Sequence, residues 1–199
     1  MRIKTLCLPL LAVAFLAINA YSQTDSTSQP QVLNHAFAAN GHVQLHLEAG
    51  EYEIRPSKED KIHIEWTAKS SALAKVKVAM TVTGNAANVT VKTPNNSDVR
   101  VIIEVPAKTG MFVRLSAGEL TMKGIEGDKD VESHAGDVNV QVGAPELYGE
   151  VDASVKVGDL DAEAFSVSKG GIARSFRTSG KGKYKLHAHV GAGDLRLSK

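Results

Sequence analysis

Cysteine is almost missing from this chain: Cys7 is the only one, and it falls inside an apolar N-terminal stretch. No disulfide framework, Cys-x-x-Cys metal site or cysteine nucleophile can therefore be built from the rest of the sequence. Cys7 also sits too early in that stretch, behind Lys4-Thr5-Leu6, to be a lipidated cysteine. Aromatic residues make up only 5% of the chain, with Trp66 the sole tryptophan. That favours a narrow core of Val, Leu, Ile and Ala. A basic surplus is also missing, the formal net charge being +1, so the electrostatic footprint of a nucleic-acid binder is absent. The longest apolar run, Leu6–Ile18, is too short to cross a bilayer comfortably, and no later run is longer, so no transmembrane segment is expected in the mature chain. No Gly-x-Ser-x-Gly elbow and no phosphate-cradling glycine loop before a helix is found, and no cofactor motif appears.

Arg2 and Lys4, the apolar stretch, and the small-residue exit Asn19–Ser22 read as a secretory signal peptide over residues 1–22. Cleavage after Ala20 and after Ser22 both fit. The expected location is therefore outside the cytoplasm, in a periplasm or at the cell surface. Residues 23–35 are polar and are expected to be a disordered leader.

From residue 36 to 199 period-two alternation dominates, which predicts a single all-β domain. Ile62, Ile64 and Trp66 mark one strand, and Val76, Val78, Met80 and Val82 another. Gly84-Asn85 predicts a turn, and Pro106 should end the strand carrying Val99, Val101, Ile103 and Val105. Thr67–Lys75 has room for one short helical turn. Five times an alternating run meets a Gly-acid pair and resumes in opposite phase: Gly50-Glu51, Gly118-Glu119, Gly136-Asp137, Gly158-Asp159 and Gly193-Asp194. A slip of odd length would turn the core face outward unless the glycine makes a corner or bulge. Repeated corners predict short strands coiled into a β-solenoid, each coil about 4.8 Å from the last. Gly118, Gly127 and Gly136 are nine apart, as are Gly149 and Gly158, giving an 18-residue repeat that widens to 22 around Ala144–Leu147. The interval from Gly158 to Gly193, through Gly170-Gly171 and Gly180, has room for two irregular repeats. The N-terminal half is either the wider start of the same solenoid or a small sandwich fused to it.

The order Ala49-Gly50-Glu51, then Ile62-x-Ile64-x-Trp66, Ile103-Glu104-Val105-Pro106 and Val113-Arg-Leu-Ser-Ala-Gly-Glu-Leu120, followed by Gly-Asp-Val and Gly-Asp-Leu repeats, resembles the bacterial putative-adhesin domain family. Those are β-solenoid proteins related to auto-transporter adhesin heads, and the resemblance spans roughly residues 36–199. It implies a surface-binding role and brings no catalytic residues. One departure is that no membrane barrel follows the repeats, so self-export in the auto-transporter manner is not expected.

Stacked corners would bring Glu51, Glu119, Asp137, Asp159 and Asp194 into a ladder about 5 Å apart. Turn acids that hold backbone N–H groups are the favoured reading, with calcium as the alternative. The calcium-binding Gly-Gly-x-Gly-x-Asp repeat is absent, and no metal site is assigned. His187 and His189 project from one strand face, as do His42 and His46, while His134 sits beside the Gly136 corner. Two imidazoles at this spacing suit zinc, but no motif supplies a third ligand, so they read as an exposed face. Lys169, Arg174, Arg177, Lys181, Lys183 and Lys185 form an acid-free basic stretch. It is either an edge guard or a patch for an anionic glycan or lipid headgroup. Lys129 with Asp130, and Lys156 with Asp159 and Asp161, are the best an enzyme reading can offer; they are expected as ordinary outward charges.

The function expected is a non-enzymatic, exported adhesin-like protein whose repetitive β surface binds an envelope polysaccharide or protein, equivalent side chains on each coil meeting a repeating ligand. A carbohydrate-active β-helix enzyme or glycan-binding module is the alternative. The last coil, with Lys185, Arg196 and Lys199 near its end, is expected either to be guarded by those charges or to pair end to end with another chain.

Overall fold

The structure, a computed structural model, describes residues 29–95, 97–170 and 172–199. The expected signal peptide, residues 1–22, lies outside these residues. The chain enters the sheet sooner than its composition suggests, since β1 (Gln31–Ala36) pairs antiparallel with β4 (Lys61–Thr67). What β1 contributes is backbone pairing along an edge, with Val32 half exposed, and composition carries no sign of that.

All fifteen strands among the described residues join one mixed sheet whose pairing path does not close. The chain is therefore all-β, with one short α-helical turn among the described residues, α1 (Ser70–Leu73), where one was expected, and two 3-10 turns at Pro145–Leu147 and Glu163–Phe165. The glycine corners divide the strands into two arms. In the first arm, β6 (Ala86–Lys92), β2 (His42–Leu47), β8 (Gly110–Met122), β9 (Lys129–Gln141), β14 (Tyr184–Ala192) and β10 (Tyr148–Val157) lie side by side, all parallel. In the second arm β7 (Arg100–Pro106), β3 (Gly50–Ser57), the C-terminal halves of β8 and β9, β15 (Leu195–Ser198) and β11 (Leu160–Ala162) run in the same way. Each first-arm strand and its second-arm continuation make one tier.

Antiparallel strands finish the edges. β5 (Lys77–Thr83) lies on β6, and β4 carries β1 on its far side while pairing with β7. At the other end β13 (Ile172–Ser179) lies on β10, and β12 (Val167–Lys169) lies on β11. The N-terminal strands belong to the same sheet, with no separate sandwich. The interval from Gly158 to Gly193 holds β11–β14, which are the second arm of one tier, the end strands β12 and β13, and the first arm of the next tier, where two repeats were expected.

Tier order differs from chain order. The tier of β14 and β15 sits between those of β9 and β10, and the tier of β2 and β3 sits between those of β6 and β8. Strand alternation cannot reveal this, because the excursions through β4–β5 and β12–β13 set where the next tier docks. It also corrects the expectation for the last coil. Lys185 and Arg196 lie on the same interior tier, where Lys185 pairs with Glu150.

The core is one continuous cluster between the arms, supplied by alternate residues of each strand. On β8, Val113 and Leu115 before the corner and Leu120 and Met122 after it are all buried. The change of phase is absorbed at Gly118, whose φ of 116° L side chains rarely adopt. Pro106 ends β7, and Gly84-Asn85 turns the chain between β5 and β6.

Candidate functional site

Every second residue of the first arm points away from the core, and the parallel register lines these residues into rows across the strands. One row reads Asn88, Gln44, Phe112, Asp130, His187, Asp152 and Arg177. The next reads Thr90, His46, Arg114, Glu132, His189, Ser154 and Ser175. The spacing repeats and the chemistry does not, so equivalent side chains on each tier, as expected from the repeats, are not what this face presents. An open groove of about 770 Å³ crosses it, with His46, Arg114, Glu132, His134, Ser154 and Lys156 among its walls.

Arg114 organises the middle of the face. Its guanidinium bonds Asp130 at 2.8 Å and Glu132 at 3.1 Å, both from β9. It also lies 3.6 Å above the centre of the Phe112 ring, whose other neighbour is His46 in edge contact at 6.4 Å. A planar cation held by two carboxylates over an aromatic ring is a fixed feature, because guanidinium geometry matches both partners. Farther along, Ser154 Oγ and His189 Nδ1 are 2.7 Å apart, and Arg177 bonds Asp152 at 2.5 Å. His187 and His189 do face outward, with Leu186, Ala188 and Val190 buried between and beside them.

The corner residues stack along the line where the arms meet. Gly50 is in register with Gly118, and Gly118 with Gly136; Gly193 then packs on Gly136, and Gly158 on Gly193. Asp137 therefore neighbours Asp194, and Asp194 neighbours Asp159. Asp137 Oδ1 accepts the Asp194 N–H at 2.9 Å, and Asp194 Oδ1 accepts the Asp159 N–H at 3.0 Å. Glu51 holds the Arg100 guanidinium at 2.8 Å, and Glu119 is exposed between Glu51 and Asp137.

The basic stretch is distributed over β12–β14 and is partly engaged by acids distant in sequence. Arg177 pairs with Asp152, Lys185 with Glu150, and Lys183 approaches Glu126 at 3.9 Å. Lys169 donates to the Ser175 carbonyl and Arg174 to that of Gly170, while Lys181 is exposed.

Lys129 overturns its expected outward placement. It is 1% exposed, in register with buried Met111 and Leu186, while Asp130 beside it points out. Its ammonium donates to the Tyr148 hydroxyl and to the Gly127 carbonyl. Burial pulls its pKa down to about 8, against the opposing pull of Glu126 and Asp128. Tyr184 donates to Glu126 at 2.7 Å, and this bond leads the causes that hold that carboxyl below its ordinary range. The apolar-polar alternation turns odd at Lys129, where a charge occupies the phase of Val131; that was the available signal. Of the other proposed enzyme group, Lys156 stands on the first arm, Asp159 at the corner and Asp161 on the second arm, so it has no common focus.

No helix among the described residues is long and apolar enough to cross a membrane. No family model and no curated protein matches the sequence. The likeness lies instead with solved structures. A putative cell adhesion protein from Clostridium sporogenes superposes with a TM-score of 0.55 at 16% identity, over 85% of this chain and 99% of that one. A putative adhesin from Parabacteroides merdae matches with a TM-score of 0.34 at 11% identity, over 56% of this chain and 52% of that one. One from Bacteroides fragilis gives 0.30 at 10% identity, over 85% and 97%. This chain shares the fold of the Clostridium sporogenes protein.

Proposed function

We propose that this is an exported, non-enzymatic adhesin-like protein, a solenoid-like stack whose polar first-arm face holds an extended polysaccharide of the cell envelope or of a neighbouring surface. The observation that carries the reading is the open groove running across the in-register tiers around the Arg114–Phe112 platform. Its walls set donors and acceptors such as Arg114, Glu132 and Ser154 among apolar residues such as Leu47 and Leu115 along an extended path, which suits a polyhydroxylated chain. The adhesin-like fold shared with the Clostridium sporogenes protein supports the same class of role. Contacts are heterogeneous along the face, so binding rests on one groove-length segment of polymer.

Co-sedimentation of the purified protein with intact cells, peptidoglycan and envelope polysaccharide from the source organism tests this. Saturable binding to a polysaccharide fraction, weakened in Arg114→Ala, is the expected result. Binding to none of the fractions would overturn it. Release of sugar fragments, lost in Asp137→Asn with Asp159→Asn, would replace it with the carbohydrate-active alternative.

A further inference from the structure

The docking of β14 between β9 and β10 does something the order of the chain conceals. It sets His187 directly beside Asp152, and His189 two residues on along the same outward face. The ligand atoms of Asp152, His187 and His189 all lie within 4.8 Å of one another, and all three side chains are half buried. Among the described residues this is the one group of three or more His, Cys, Asp or Glu side chains placed to hold a metal ion. The two imidazoles lacked only a third ligand, and the neighbouring strand supplies it.

From these positions we infer that Asp152, His187 and His189 form a binding site for a zinc-class divalent transition-metal ion. Two imidazole nitrogens and one carboxylate oxygen are the donor types such ions take, whereas calcium requires six to eight oxygens. Bond lengths near 2.1 Å in tetrahedral geometry bring ligand atoms to about 3.3 Å apart. Small rotamer adjustments on three half-exposed side chains achieve that closure. Two of the three ligands already have an outer partner. Ser154 Oγ sits 2.7 Å from His189 Nδ1, which directs Nε2 toward the metal. Arg177 engages one oxygen of Asp152 and leaves the other to bind. Glu150 Oε1 stands 3.9 Å from His187 Nε2 and can supply the fourth ligand, or leave it to water. The site adjoins the groove, whose walls include His189 and Ser154, but it rests on the three ligands alone and not on the polysaccharide reading.

The test is isothermal titration of the full chain, purified without a polyhistidine tag and stripped with chelator, using zinc chloride and, separately, calcium chloride. One equivalent of zinc should bind with micromolar affinity, calcium should not compete, and zinc should raise Tm by mass action. Asp152→Asn, His187→Ala and His189→Ala should each weaken binding by about tenfold or more. His42→Ala and His134→Ala should leave it unchanged. Metal-free Tm of every variant reports folding, and cobalt(II) absorption bands give a second readout of tetrahedral coordination. No zinc uptake by the wild-type chain would overturn the assignment, as would uptake unchanged in the His187→Ala/His189→Ala double variant with native Tm.

Discussion

The backbone N–H of Asp194 donates to Asp137 Oδ1 at 2.9 Å across 57 residues of sequence. The same relationship recurs one tier on, where Asp159 donates to Asp194. A corner acid therefore serves the tier above it. Asp137→Ala should cost about 1 kcal/mol, the ordinary net value of one such bond, and Asp137→Asn less because an acceptor oxygen remains. Urea denaturation measures both. Calcium should leave Tm unchanged, because these oxygens already receive backbone N–H groups.

Glycine is required at the corners for two separable reasons. A Cβ on Gly136 would sit 1.8 Å from the Gly118 carbonyl oxygen, at a φ of 108°. Gly143 has a φ of 75° with nothing near a would-be Cβ. Gly143→Ala should cost about 1–2 kcal/mol, the left-handed penalty alone. Gly136→Ala should exceed about 4 kcal/mol or fail to fold, since the tiers must separate. Equal losses in the two variants would show that tier contact is unimportant.

The five corners were readable because a phase change in alternation has few structural solutions, and both halves of β8 do face inward. The Pro106 stop and the helical turn at Ser70–Leu73 were equally local. Tier order was not readable, because identical-looking strands dock equally well by pattern and only the antiparallel excursions decide among them. Asp152 opposite His187, and Glu150 opposite Lys185, depend wholly on that order. Lys129 escaped for another reason: an inward lysine violates the rule that makes alternation informative.

Lys129 makes stability depend on pH in an unusual direction. Below about pH 8 the lysine is charged in folded and unfolded chains alike, and the cost of burying it is fully present. As pH rises from about 8 toward the ordinary 10.5, the unfolded chain holds more protons than the folded one, so stability rises. That interval corresponds to about 3 kcal/mol at most. Burial raises the hydroxyl pKa of Tyr52 and of Tyr148, so above about pH 10, where unfolded tyrosines ionise, stability should fall again. The urea midpoint should therefore climb between about pH 7.5 and 9.5 and then drop. Lys129→Met should abolish the climb.

Arg114→Ala separates binding from folding. The ion pairs with Asp130 and Glu132 are partly exposed, so their loss should cost about 1 kcal/mol or less in urea denaturation. Polysaccharide binding should fall by about tenfold in the same variant, because Phe112 loses its fixed cap and the groove its central cation. A variant that binds normally would move the site off this platform.

The placement of β14 and β15 between β9 and β10 governs when the molecule can form. A nascent chain that has emerged only through residue 162 holds β10 and β11 without the strand that each will use to reach β9. Nucleation can start on β8 and β9, whose pairing is close in sequence, but propagation toward β10 must wait for residues 184–198. Such late, long-range closure slows folding. A polypeptide delivered through a membrane pore from its N-terminus could assemble the tiers up to β9 first, while β10 and β11 stayed undocked until β14 and β15 had crossed.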